Sequence, residues 1–136
     1  MNTVPIFPLT PSTQWGATAL ATANTAKDGT GTVLTAFTAD ATNGSRLDYI
    51  KSRAIGTNTA TVMRVFINNG STNATPANNV LFMERTIPAT TLSEVAELAD
   101  IYIPLDISLP AGYKVNVTIG TTVAAGLMVS GVGGHY

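Results

Sequence analysis

The stretch that decides the fold is DIYIPLDISL, at residues 100–109. Apolar side chains occupy every second position, and Asp, Tyr, Pro, Asp and Ser stand between them. This period of two predicts a β-strand that buries one face and exposes the other. Pro104 lies on the polar side and cannot donate a backbone hydrogen bond, so we expect an edge strand or a bulged strand.

Turn signals punctuate the chain on both sides of this stretch. Asp-Gly and Asn-Gly pairs at residues 28–29, 43–44 and 69–70 supply the positive φ values that tight hairpins need. Between the turns we predict eight strands, at residues 17–23, 31–38, 46–54, 60–67, 79–86, 100–108, 113–119 and 122–130. A short helix is predicted at residues 91–99, because Thr91 and Glu94 have the spacing of a capping box.

The composition favours the same class of fold. Val, Ile and Thr together make up 42 of the 136 residues, whereas Glu, Lys, Gln and Arg make up 11. The first group suits a pleated surface, and the second contains most of the strong helix formers. We therefore predict an all-β fold, an antiparallel β-sandwich or jelly roll of about eight strands, and exclude a helical bundle.

The first fifteen residues differ from the rest of the chain. Pro5, Pro8 and Pro11 hold this segment extended and prevent a helix or a central strand. Its large apolar residues are Ile6, Phe7, Leu9 and Trp15. We divide the chain into an extended N-terminal arm, residues 1–15, and a β-sandwich domain, residues 16–136. The arm would lie either on this same domain, with Trp15 as a lid on the core, or on a neighbouring subunit.

The reactive side chains needed for most catalysis are scarce. There is no Cys and a single His, which excludes thiol catalysis, Cys-based zinc sites and sites with two His ligands within one chain. We expect His135 to be an exposed residue of a flexible, glycine-rich tail, and Asp28 to belong to a hairpin turn rather than to a calcium loop. Arg46 and Asp48 share a strand face and are expected to pair. We predict no catalytic residue, no cofactor and no metal.

The charges are few and scattered. Seven Lys and Arg residues face eight Asp and Glu residues, so the net charge is -1. Nucleic-acid binding needs clustered cations, and a membrane span needs about 20 apolar residues in a row, so we expect neither partner. A surface built from Thr, Asn, Ser and Ala suits contact with other proteins, because little side-chain freedom is lost there. We expect a homo-oligomer, in the first place a trimer.

Four stretches resemble small virion proteins of tailed bacteriophages. They are TANTAKDGTG at 22–31, NGSRLD at 43–48, TVMRVFINNG at 61–70 and LPAGYKVNVT at 109–118. In character the chain is similar to capsid decoration, or cement, proteins. The resemblance implies a β-rich body, self-association and binding across subunits of the major capsid protein on the outer surface of the virion. The protein would then not be an enzyme. We expect its interface residues to be Ile6, Phe7, Leu9 and Trp15, because they are large and apolar and aromatic side chains dominate interface energetics.

A second interpretation stays open, namely a carbohydrate- or receptor-binding β-sandwich of a phage tail, baseplate or head fibre. Such modules expose aromatic platforms beside Asp or Asn. Tyr102 lies on the polar face of its strand with Asp100 and Asp106, and Tyr49 is a further candidate. The number of copies on the virion distinguishes the two, since a cement protein is present in hundreds and a tail or fibre module in far fewer.

Overall fold

The computed structural model describes residues 7–136 and contains eight β-strands. Their bounds are β1 Thr10–Trp15, β2 Leu34–Thr38, β3 Ser45–Ala54, β4 Thr61–Asn68, β5 Asn79–Ile87, β6 Asp100–Leu109, β7 Lys114–Ile119 and β8 Leu127–His135. The strands form two antiparallel sheets: sheet A has the order β1-β8-β3-β6, and sheet B has the order β2-β7-β4-β5. The predicted all-β sandwich is confirmed.

Strand β6 behaves as its sequence predicts. Ile103 and Leu109 are buried, and Tyr102 is exposed. The strand forms one edge of sheet A, where Pro104 needs no hydrogen-bonding partner on its free side. It also carries a bulge, because its register against β3 shifts around Asp106, which has a φ of 51°.

The prediction of a helix at residues 91–99 is wrong. These residues form a loop with a bend between β5 and β6. A helix this short is stable only when it packs an apolar face against the protein. Val95 is 98% exposed and Leu92 is also exposed, so this surface offers them no such contact. Thr90, which hydrogen-bonds to Asn58, fastens the start of the loop instead.

Two of the predicted strands are misplaced. Residues 17–23 form no strand, and only Leu20 pairs there, in an isolated bridge with Leu127. The first strand is β1, inside the segment predicted to be an arm. The last strand begins five residues later than predicted and includes the C-terminal glycines, so the predicted flexible tail is part of a strand. Glycine suits this position because a Cβ on Gly131 would lie 3.1 Å from the Cβ of Phe37.

The hydrophobic core lies between the two sheets and draws on both. Its largest fully buried side chains include Phe37, Leu47, Ile50, Met63, Ile103, Ile119 and Leu127.

Sheet B is covered on its other side as well. Phe66 follows the core residue Val65 in β4 and so faces away from the core, yet it is fully buried. Asparagine side chains hold the loop before β2 together and join it to the loop between β4 and β5: Asn24 and Asn73 donate to backbone carbonyls of residues 29–32 over 2.8–3.1 Å. Part of the high Asn content therefore serves the backbone of the loops rather than the solvent.

Candidate functional site

The structure describes three of the four candidate interface residues, and all three side chains are exposed. Phe7 is 69% exposed, Leu9 82% and Trp15 68%. Trp15 therefore does not form a lid on the core. Ile6 lies outside the described residues. The described part of the N-terminal segment thus presents three large apolar side chains at one edge of sheet A.

The segment that carries these side chains is attached to its own domain. Strand β1 pairs with β8 along its whole length, from Thr10 opposite His135 to Trp15 opposite Ser130. The backbone N–H of Leu9 extends the pairing by donating to the carbonyl of His135 over 2.7 Å. Pro11 is compatible with this strand because β1 is an edge strand. From Leu9 onward, the predicted arm is therefore part of the sandwich.

Gln14 fastens β1 to the other sheet. Its Nε2 donates to the carbonyl of Thr38 over 2.9 Å, and its Oε1 accepts from the N–H of Thr38 over 2.8 Å. The carboxamide thus hydrogen-bonds to both the N–H and the carbonyl of Thr38, at the end of the edge strand β2. Sequence reasoning missed this contact, and the one available signal was that Gln14 is the only glutamine in the chain.

The outer face of sheet A carries a mixed row of side chains. Trp15 lies opposite Ser130, Ser130 opposite Lys51, and Lys51 opposite Tyr102, so the row crosses all four strands. Residues directly opposite each other share a face of the sheet, and neighbouring strands lie about 4.8 Å apart. The Cα atoms of Trp15 and Lys51 are therefore about 10 Å apart, and the small side chain of Ser130 lies between the two residues.

The charges on this face are divided between its two ends. At one end, Asp100 on β6 accepts from Lys51 Nζ over 3.0 Å and from an Arg53 guanidinium nitrogen over 2.7 Å. The hydrogen bonds from Lys51 and then Arg53 lower the pKa of Asp100. This group carries two positive charges and one negative charge.

At the other end, Arg46 pairs with Asp48 over 2.9 Å, as predicted, and reaches Asp106 over 3.4 Å. Two negative charges face one positive charge here. Asp100 and Asp106 therefore belong to separate ion-pair groups, and the structure does not bring them together at one site.

The two tyrosines of the predicted aromatic platform are in contact. The ring centroids of Tyr49 and Tyr102 lie 4.7 Å apart, with the planes tilted by 43°. Tyr102 is exposed, so the pair presents aromatic surface to the solvent on β3 and the edge strand β6.

His135 differs from its prediction. It lies half-buried in β8, where its Nδ1 shares a hydrogen bond with the hydroxyl of Ser45, and its ring lies 6.1 Å from that of Phe37. A Ser–His contact is the pattern of an activated nucleophile. Ser45, however, is fully buried and also accepts from the N–H of Asp40 over 2.8 Å. A substrate could not reach this hydroxyl, so we assign the pair to holding the start of β3 against the end of β8.

Residues 7–136 contain no cluster of three or more His, Cys, Asp or Glu side chains that could hold a metal ion. Asp28 instead accepts from the hydroxyl of Thr30 over 2.6 Å and from its N–H over 3.1 Å, which forms a turn and lowers the pKa of Asp28.

Within residues 7–136, no helix has the length and apolar character needed to cross a membrane.

Comparisons with protein-family models, curated proteins and solved structures found no match to this chain.

Proposed function

We propose that this chain is a non-enzymatic structural protein of a bacteriophage particle, a decoration protein of the outer capsid that binds across major capsid subunits and associates with its own copies. The phage context rests on the resemblance of the four sequence stretches. The binding role is carried by one observation: Phe7, Leu9 and Trp15 are each more than two-thirds exposed, and the backbone from Leu9 to Trp15 is held in place by its pairing with β8.

Exposed apolar side chains in a group indicate an interaction surface. Transfer of each large side chain from water into an interface contributes roughly 1.5–3 kcal/mol before ordering costs. The pairing of β1 with β8 and the Gln14 contact with Thr38 order this backbone during folding. Less conformational entropy is then lost when the segment binds, so more of the apolar contribution remains as affinity.

Two further apolar surfaces support contacts with more than one partner. Val80 and Phe82 are exposed on β5, the edge strand of sheet B, and Leu92 and Val95 are exposed in the loop before β6. A cement protein must touch several subunits at once, and few charges oppose such contacts in a chain in which 11% of residues are charged.

The test is attachment of the Phe7→Ser/Leu9→Ser double variant to phage heads stripped of their decoration protein. Both side chains are exposed, so we expect an unchanged thermal melt and attachment at least tenfold weaker, about 1.4 kcal/mol. Point variants are preferred to a deletion of residues 1–14, because that deletion would also remove Gln14 and most of β1.

Ile55→Ser is the matched control, since Ile55 is an exposed apolar residue that belongs to none of the surfaces named above. Equal attachment of the double variant and the wild type would refute the assignment of Phe7 and Leu9 as anchors. Counting copies on purified virions tests the location: hundreds per particle support a capsid protein, and a few dozen or fewer support a tail or fibre module.

The contact between Tyr49 and Tyr102 favours a second candidate function, a carbohydrate-binding module of a tail, baseplate or fibre. In that case a glycan array should report binding that is lost in Tyr102→Ala. An array without signal for the wild-type protein would remove this candidate.

A further inference from the structure

A shallow groove of about 280 Å³ lies on the outer face of sheet A beside Trp15. Its lining residues are Trp15, Lys51, Arg53, Met128, Val129 and Ser130. Trp15 and Met128, which are both exposed, supply the apolar part of the lining, and Lys51 and Arg53 supply the cationic part. Ser130 stands between Trp15 and Lys51 and leaves the space open because its side chain is small.

The two cations are positioned by a carboxylate outside the groove lining. Asp100 binds Lys51 through one oxygen and Arg53 through the other. Holding both side chains from the β6 side reduces the entropy they lose when a ligand arrives. One carboxylate neutralises only one of the two cations, so the groove keeps an excess of one positive charge and complements an anion.

We propose that this groove binds an acidic saccharide, a sugar ring that carries a carboxylate. The C–H face of a pyranose is apolar and flat and would stack on the indole of Trp15, while the carboxylate would meet Lys51 and Arg53. Arginine matches the two oxygens of a carboxylate with parallel N–H donors, and lysine adds a mobile positive charge. The hydroxyl of Ser130 can donate to, or accept from, a sugar hydroxyl.

The size and shape of the groove favour this ligand over an acidic peptide. Pockets for drug-sized molecules usually enclose about 300–1,000 Å³, so a groove of about 280 Å³ suits a single ring. A peptide carboxylate would satisfy the cations but would leave the indole without a flat partner. A sugar acid satisfies both walls, which are carried by β1 and β3, two strands about 10 Å apart with β8 between them.

The first experiment uses the fluorescence of Trp15, which reports on the groove directly because the chain has no other tryptophan. The probes are a galacturonic acid trisaccharide, a neutral galactose trisaccharide and a triglutamate peptide. We expect a saturable change with the acidic trisaccharide only, weakening when salt is raised from about 50 mM to about 500 mM, because exposed charges are screened. No saturable change, or an equal response to the neutral sugar or to the peptide, would overturn the proposal.

The second experiment assigns the ligand to the groove. Lys51→Gln and Arg53→Gln should each weaken binding of the acidic trisaccharide at least fivefold, and Trp15→Leu should abolish it in calorimetry. Lys27→Gln is the matched control, since Lys27 is exposed in a loop and does not line the groove. The two Gln variants should fold normally, because exposed ion pairs add little to stability. Unchanged affinity in both Gln variants would refute the site.

Trp15 belongs both to the proposed capsid-binding surface and to this groove, so a capsid subunit and a saccharide would compete for its indole. Phe7 and Leu9 lie outside the groove lining, so the attachment test and the saccharide test can fail separately.

Discussion

Replacing Gln14 with Met tests whether the contact between β1 and β2 stabilises the folded state. The variant keeps the length and the apolar stem of the side chain but removes its two hydrogen bonds to the backbone of Thr38. Each bond contributes about 0.5–1.5 kcal/mol net, so the free energy of unfolding should fall by about 1–3 kcal/mol. Thr38 is half-buried, so water can replace part of the loss, and we expect the lower half of this range.

The expected change in melting temperature follows from the size of the domain. An unfolding entropy of about 2.1 cal/mol/K per residue gives roughly 0.29 kcal/mol/K for 136 residues. Each kcal/mol then lowers Tm by about 3.5 °C, so Gln14→Met should melt about 3–7 °C below the wild type. Thermal melts followed by circular dichroism, with urea unfolding as a second measure, would show this change.

Gln14→Glu tests the hydrogen bond that the side chain donates to Thr38 separately from the one that it accepts. At pH 7 the carboxylate can still accept from the N–H of Thr38, but it faces the carbonyl of Thr38 without a proton to donate. At pH 4 part of the population is protonated and regains the donor, so the deficit relative to wild type should be smaller than at pH 7. Thr13→Ala, an exposed neighbour in β1, is the control. A Gln14→Met melt within 1 °C of the wild type would show that the contact contributes nothing.

Two further predictions concern other polar contacts. Asn58→Ala should lower the free energy of unfolding by about 2–4 kcal/mol, because Asn58 is buried and its amide serves the N–H groups of Ala125 and Gly126 and the carbonyl of Gly126; a urea-unfolding difference below about 1 kcal/mol would contradict this. Hydrogen bonds from Lys51 and Arg53 lower the pKa of Asp100 from 3.8. The stabilisation of the folded state by these ion pairs is therefore present above pH 3.8 and is lost as the pH falls through the lowered pKa. The Tm difference between wild type and Asp100→Asn should therefore shrink from pH 6 to pH 2.5. A constant difference would show that the Asp100 ion pairs do not stabilise the fold.

The parts of the fold that sequence reasoning predicted well have a strong local pattern. In β6 the alternation of apolar and polar residues decides which face is buried, and Pro104 indicates an edge. The prediction failed where the local pattern was weak or misleading. Thr91 and Glu94 have capping-box spacing, but Leu92 and Val95 are exposed and only Leu98 packs against the core, so the segment lacks a continuous apolar face. The C-terminal glycines have no side chains that would indicate a strand, yet they form a strand inside sheet A, where neighbouring backbone and side chains come close.

The candidate site could be predicted only in part for a related reason. Large apolar residues near prolines predict that Phe7, Leu9 and Trp15 take part in contacts, but not whether the partner is their own core. Their exposure became visible only when β1 was placed on the edge of sheet A. The contacts of Gln14 with Thr38 and of Ser45 with His135 join residues 24 and 90 positions apart. No local pattern in a single sequence indicates such pairs.

By itself, the sequence determined the all-β class, the scarcity of charge and of reactive side chains, and the extended character of the N-terminal segment. These properties depend on composition and on neighbours one or two positions away, through backbone dihedral preferences and the alternation of faces along a strand. Only the tertiary structure decided that β1 joins sheet A, that β8 lies between β1 and β3, and that Trp15 stands beside Lys51 and Arg53. Strand order and register come from packing and hydrogen bonds between distant segments, and the groove exists only where three strands, each from a different part of the chain, lie side by side.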